Sequence, residues 1–187
     1  MERKRYESYA YVLDYLPQGR PSSVRQSFKA EALVQLVGED FFTLLEAVAK
    51  ARVSFSPNEK VYVGKEGIRD KILHIVGRIE YNELSANAKS ELPSVIERIV
   101  RSNENRFLEF FNNAQSITPR MHSLELLPGI GKKYMWQILN ERERSAFKAL
   151  HDIRRRTGIP DPSKLVVNRI LEELTEEPKY RIFTRLP

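Results

Sequence analysis

A proline and two glycines in the run Leu126-Leu127-Pro128-Gly129-Ile130-Gly131-Lys132-Lys133 fix where this chain must turn. The apolar helical turn before them is expected to end at Leu127, because Pro128 lacks the N–H that would continue it. Gly129 and Gly131 are both expected to take backbone angles that a side chain forbids. A new helix is predicted from about Lys132. Its first turn has N–H groups without intrahelical acceptors and carries the positive end of the helix dipole, so the corner offers an anion hydrogen bonds and charge together. Lys132 and Lys133 add two cations there, and Ile130 is expected to turn inward while the backbone of the corner faces out.

The charge of the chain is concentrated at the same place. The 187 residues include 31 Lys and Arg against 25 Asp and Glu. Residues 118–160 alone hold nine basic and four acidic side chains, so five of the six net charges lie around the corner. Phosphate binding is driven by such local cationic fields and by counterion release, which makes position matter more than the total. Arg154, Arg155 and Arg156 form a run that either extends a phosphate contact or offsets the negative end of a helix dipole on a solvated face.

The segment Leu127-Pro128-Gly129-Ile130-Gly131 resembles the signature of the helix-hairpin-helix family of DNA- and RNA-binding modules: an apolar residue, Pro, Gly, an apolar residue, Gly, then a helix. Four positions after the second glycine, where that family usually has a small residue, this chain has Met135. A second unit follows. Ser145 to Arg156 reads as a helix with Phe147, Leu150 and Ile153 at three-residue spacing, and Thr157-Gly158-Ile159-Pro160-Asp161-Pro162 breaks it. Pro162 to about Glu176 reads as another, with Asp161 suited to capping and Leu165, Val166, Ile170, Leu171 and Leu174 as its apolar stripe. This looks like a degenerate second copy, two hairpins in tandem. The resemblance implies that Gly129, Ile130, Gly131, Lys132 and Lys133 grip backbone phosphates, with Arg154, Arg155, Arg156 and Gly158 as further contacts.

The first half has a different grammar. Tyr9 to Leu16 alternates with the period of two that marks a strand. A loop from Pro17 to Ser23 ends it; Ala30 to Val37 and Phe41 to Val48 read as a hairpin turning at Gly38-Glu39-Asp40, although Leu44 to Lys50 also fits a helix. Lys60 to Val63 and Lys71 to Tyr81 complete five short strands. They look like the OB-fold, a small barrel that often binds single strands by stacking bases on aromatic side chains. In that comparison Tyr9, Tyr11 and Tyr15 are base-stacking candidates, while packing within the barrel is their ordinary use. The expected class is α+β, with an OB-like five-stranded barrel over residues 1–90 and an all-α domain over 91–187.

Between these modules, Ala86 to Ser90 and Leu92 to Val100 read as helical. Glu104 to Ala114 follows, with Phe107, Leu108, Phe110 and Phe111 as a dense apolar face suited to core packing or to a protein partner. Trp136 is compatible with packing against the last helices or with stacking on a nucleobase, and packing is the expectation. No cysteine is present, which removes disulfides, iron–sulfur clusters and thiolate zinc sites. His74, His122 and His151 have no short ligand spacing, so no metal and no cofactor is expected. The N-terminus lacks signal-peptide features and no stretch suits a membrane span, so a cytoplasmic protein without membrane contact is expected. A DNA glycosylase of the hairpin class would need a catalytic Asp or Lys. Lys132, Lys133, Asp152 and Asp161 qualify by type only, and no cleft for a flipped base is evident. Over its whole length the chain is similar to an uncharacterised archaeal family of unknown function that joins a strand-rich module to a helix-hairpin-helix module. The expectation is therefore a noncatalytic binder of RNA or DNA, with a protein-interaction adaptor of a ribosomal or repair assembly as the alternative.

Overall fold

The structure is a computed structural model that describes residues 6–20, 31–176 and 178–185. These fall into two compact units. One contains the described residues up to Val95 together with Thr184 and Arg185, and the other those from Ile96 to Phe183.

In the first unit, β1 (Tyr9–Leu16), β2 (Leu33–Gly38), β3 (Leu44–Ala49), β4 (Lys60–Tyr62) and β5 (Ile72–Arg78) form one curled antiparallel sheet in the order β4-β1-β2-β3-β5. Alternation places Ala10 and Val12 of β1, Val34 and Leu36 of β2, and Leu45 and Ala47 of β3 in one core with Val61 and Ile72. A bulge between Val12 and Asp14 shifts the β1–β2 register. The five strands expected of an OB-like barrel form here a curled half-barrel: β4 and β5 are its edges, and among the described residues no ladder joins them. The ambiguous segment 44–50 is the strand β3, because every residue of β3 is buried between β2 and β5. The second strand starts at Leu33, three residues later than expected, and Ala30 and the loop residues 21–23 lie outside the described residues. On the edge strand β5, Leu73 and Val76 are exposed, as are His74 and Arg78.

The buried polar groups of this unit are closed by specific partners. Gln35 faces Glu46 across β2 and β3, donates to the Glu83 carbonyl at 3.1 Å, and accepts from the Ser85 N–H at 2.8 Å. Glu7 fills the space over Gly38, where a side chain would collide with its carboxylate. That carboxylate accepts from the N–H groups of Asp40 (2.9 Å), Phe41 (3.1 Å) and Thr43 (3.1 Å), fixing the turn between β2 and β3.

The helix α1 (Ala86–Ser102) spans the division between the units and takes Pro93 within its run. The proline removes one helical hydrogen bond, and the burial of Leu92, Val95, Ile96, Ile99 and Val100 offsets that loss. In the second unit follow α2 (Glu104–Asn113), a two-stranded hairpin of β6 (Ser116–Thr118) and β7 (Met121–His122), one 3-10 turn at Ser123–Leu126, then α3 (Lys132–Arg144), α4 (Leu150–Thr157) and α5 (Pro162–Thr175). Phe107 and Phe111 are fully buried, and Phe107 and Phe110 meet the Phe183 ring with centroids 5.6 and 5.1 Å away. The dense apolar face of α2 is thus core of its own unit. No helix among the described residues is long and apolar enough to cross a membrane.

Replacing Glu7 by Ala should strand three backbone donors and lower the unfolding free energy by about 2–4 kcal/mol, measured by urea unfolding. Glu7→Gln, which keeps one acceptor oxygen, should cost less. Burial raises the Glu7 carboxyl above its ordinary 4.5, against the lowering effect of its hydrogen bonds to Thr43, Asp40 and Phe41. A raised acid favours the protonated folded state, so its contribution is full below 4.5 and is lost as pH rises through the folded value. The wild type should therefore gain on Glu7→Gln as the pH falls toward that range.

Candidate nucleic-acid interface

The corner before α3 is built from short-range hydrogen bonds. Burial, and after it the Arg142 charge, hold the His122 imidazole below its usual range, and its Nδ1 accepts from the Leu124 N–H at 3.1 Å. Glu125 reaches back to accept from the His122 N–H at 2.9 Å, which, with Lys132, holds its carboxyl below the usual range. The Leu127 N–H bonds the Leu124 carbonyl at 3.1 Å and the Ile130 N–H bonds the Leu127 carbonyl at 3.0 Å. The element before the corner is thus a single 3-10 turn. A longer helix has no room, because β7 ends at His122.

Ile130 is buried, as expected, while Gly129 and Gly131 are exposed. Only one glycine has the backbone angle attributed to both: φ is +88° at Gly129, whereas Gly131 is extended at φ −89°, ψ −178°. A Cβ at Gly131 would meet nothing within 4 Å. Gly131 is the N-cap of α3 and brings no side chain to it. The first helical bond runs from the Met135 N–H to the Gly131 carbonyl at 2.9 Å, so the N–H groups of Lys132, Lys133 and Tyr134 have no intrahelical acceptor. Met135, four positions after Gly131, is buried.

The two flanks of the corner differ in charge. On one side an open depression of about 820 Å³ is lined by the corner and by Glu125, Asn168, Arg169, Glu172 and Glu176. Its one cation is committed: Arg169 donates to Glu173 at 2.9 Å, pairs with Glu172 at 3.2 Å and bonds the Tyr180 carbonyl. Lys132 is exposed and pairs with Glu125 at 3.2 Å, while its Nζ also lies 3.4 Å from the Arg120 carbonyl. Lys133 is exposed and has no ion pair or hydrogen bond from its side chain among the described residues. Arg120, at the turn of the β6–β7 hairpin, is exposed, and its backbone carbonyl is the one that the Lys132 ammonium approaches. The residue-by-residue reading of the sequence passed over Arg120, because only the fold brings that turn to the start of α3. Trp136 is 58% exposed, which overturns the packing expected of it: Met135 and Ile138 are the residues α3 turns inward.

The second hairpin is organised differently. Gly158 ends α4 at φ +69°, with its N–H on the Arg154 carbonyl at 2.8 Å. The start of α5 is filled by its own acid, since the Asp161 carboxylate accepts from the Ser163 N–H at 2.9 Å. The helix expected over 145–156 begins only at Leu150. Asn112 holds Phe147 on both its N–H (2.8 Å) and its carbonyl (3.0 Å), and Glu104 accepts from the Leu150 N–H at 2.7 Å. Of the three arginines, Arg154 is exposed. Arg155 pairs with Asp152 at 2.7 Å, which holds that carboxyl below its usual range. Arg156 is a clamp rather than a surface cation. It bonds Glu141 through carboxylate (3.2 Å) and carbonyl, donates to the Ser145 carbonyl at 2.9 Å, and covers the Phe147 ring at 4.5 Å. Asp152 and Asp161, candidates by residue type for a glycosylase acid, are engaged in these contacts.

The three tyrosines do not form a common platform. Tyr11 is only 4% exposed, Tyr15 packs on Phe55 at 5.1 Å, and Tyr9, 44% exposed, meets Tyr62 edge-on at 5.4 Å under the Lys60 ammonium at 4.7 Å. A concavity of about 350 Å³ in the same unit carries Lys65, Arg69, His74 and Arg78, and the tyrosine that borders it is Tyr6. Among the described residues no group of His, Asp and Glu could hold a metal ion.

The chain is similar to archaeal proteins over almost its full length. It is 43% identical over 184 residues to the uncharacterized protein MJ0038 of Methanocaldococcus jannaschii, covering 97% of this chain and 82% of that one. It matches the crystal structure of Af1531 from Archaeoglobus fulgidus at 46% identity and a TM-score of 0.87, covering 96% of this chain and all of that one. The model of a family described as protein of unknown function, DUF655, matches residues 6–185. The chain belongs to this DUF655 family.

Proposed function

We propose that the protein is a noncatalytic nucleic-acid binder that holds a backbone phosphate at the start of α3. The reading is carried by Gly131. Its φ needs no glycine and no neighbour excludes a side chain, so neither backbone nor packing accounts for the missing Cβ. A polyanion lying against the amides of Lys132 and Lys133 does account for it, because a side chain there would hold the phosphate off. Lys133, Lys132 and Arg120 supply the local cationic field.

The helix-hairpin-helix likeness fits this reading, with the 3-10 turn standing in for the first helix. The α4–α5 hairpin is then a structural second copy, since the Asp161 carboxylate occupies the place that a phosphate would take. Arg154 is the member of the arginine run free to extend the contact. The five-stranded module reads as OB-like, opened between β4 and β5. Contacts of this type position a strand and carry no base sequence, so weak sequence preference follows.

Affinity for duplex DNA, single-stranded DNA and structured RNA, measured at several salt concentrations, tests the proposal. Binding to at least one of them should weaken steeply with salt, and Lys133→Glu should flatten the log–log slope by about one to two. Salt-insensitive or absent binding to all three would refute the reading.

The glycines separate folding from binding. Gly131→Ala should leave stability within about 0.5 kcal/mol of wild type yet weaken binding, whereas Gly129→Ala should cost about 1–2 kcal/mol in thermal unfolding. Arg156→Ala should lower stability by roughly 2–4 kcal/mol and leave the affinity of the folded protein unchanged.

A further inference from the structure

Trp136 is the one tryptophan of the chain, and it is more than half exposed on a helix that buries Met135 and Ile138. Leaving so large an apolar ring in water is costly, and no aromatic or cation–π partner holds it among the described residues. Its position is specific. It stands four residues after Lys132 and three after Lys133, so the three share one face of α3. Helical side chains lean toward the N-terminus, which inclines the indole over the turn that carries the unpaired amides. The separation along the axis is roughly 4.5–6 Å at 1.5 Å per residue, the scale of one to two nucleotide steps of about 3.4 Å.

Charge narrows the approach further. Glu125, Glu172 and Glu176 line the open depression, whose lining includes neither Lys133 nor Trp136, and a phosphate chain passing there meets carboxylates. A strand held at the corner is therefore directed along the flank of Lys133 and Trp136. An indole face can stack only on a base whose own face is open, and the interior of a duplex offers none.

We infer that Trp136 stacks on an unpaired base next to the phosphate held at the start of α3, so that the preferred ligand is a nucleic acid with an unpaired nucleotide rather than an uninterrupted duplex. This rests on the phosphate-binding reading above and specifies its ligand.

The single tryptophan makes the test direct. The full chain is titrated with a blunt duplex, the same duplex carrying an unpaired tail, and the tail alone, each made in DNA and in RNA. Fluorescence anisotropy of the labelled ligand reports binding, and intrinsic tryptophan emission reports stacking. The tailed ligands should quench the emission and the blunt duplex should not. Trp136→Ala should weaken binding of the tailed ligands by about tenfold or more and leave the blunt duplex unchanged, while Trp136→Phe should retain most of the affinity. Because the side chain is exposed, both variants should unfold at the wild-type temperature. Salt-dependent binding of tailed ligands with unaltered emission, and with Trp136→Ala binding as well as wild type, would overturn the stacking and leave the phosphate grip standing. Equal quenching by blunt and tailed ligands would overturn the preference for an unpaired base. Failure of every ligand to bind would overturn both readings.

Discussion

The hydrogen bond from the Ile130 N–H to the Leu127 carbonyl, together with burial of the Ile130 side chain, determines how the second unit presents itself at the start of α3. One residue is pulled in, so the glycines on either side of it are pushed out. The left-handed angle at Gly129 makes the reversal possible, and the extended angle at Gly131 launches the helix without a side chain across its first amides. Had Ile130 been polar, the corner would lose its anchor and the amides their fixed direction.

Around that corner, cations are sorted by how much of their charge remains available. Arg169 and Arg156 spend theirs on internal carboxylates and carbonyls, Arg155 and Lys132 share theirs with one acid each, and Lys133 keeps its own. The excess of positive charge in residues 118–160 thus overstates what a ligand would feel. Much of it is structural, held on the buried Asp152 and on Glu141. The two helix starts compared above carry the same lesson. They have equal dipoles, but Asp161 neutralises one and Gly131 leaves the other bare.

Local chemistry was the legible part of the sequence. Strand β1 followed from alternation, α3 and α5 from Gly131, Pro162 and Asp161, and the inward turn of Ile130 from its place between two glycines. What was not legible depends on partners far along the chain. The late start of α4 is imposed by Asn112, 35 residues before Phe147, and the role of Arg156 by Glu141, 15 residues before it. The exposure of Trp136 was hidden for another reason. Met135, Trp136, Ile138 and Leu139 are all apolar, and helical periodicity alone does not say which of them faces in. The sequence likewise had no means to tell which of two glycines needs a positive φ.

The open sheet of the first unit has a consequence for how molecules of this chain meet one another. An edge strand offers backbone donors and acceptors that a strand of another molecule can take up. With three residues, β4 is too short to template such an addition, while β5, seven residues long with Leu73 and Val76 outward, is long enough. Arg78 and the imidazole of His74 lie exposed along that same edge. Two copies brought edge to edge in antiparallel fashion about Val76 would set the Arg78 of each across from the His74 of the other, and a charged guanidinium standing on an edge strand is the kind of side chain that discourages such an addition.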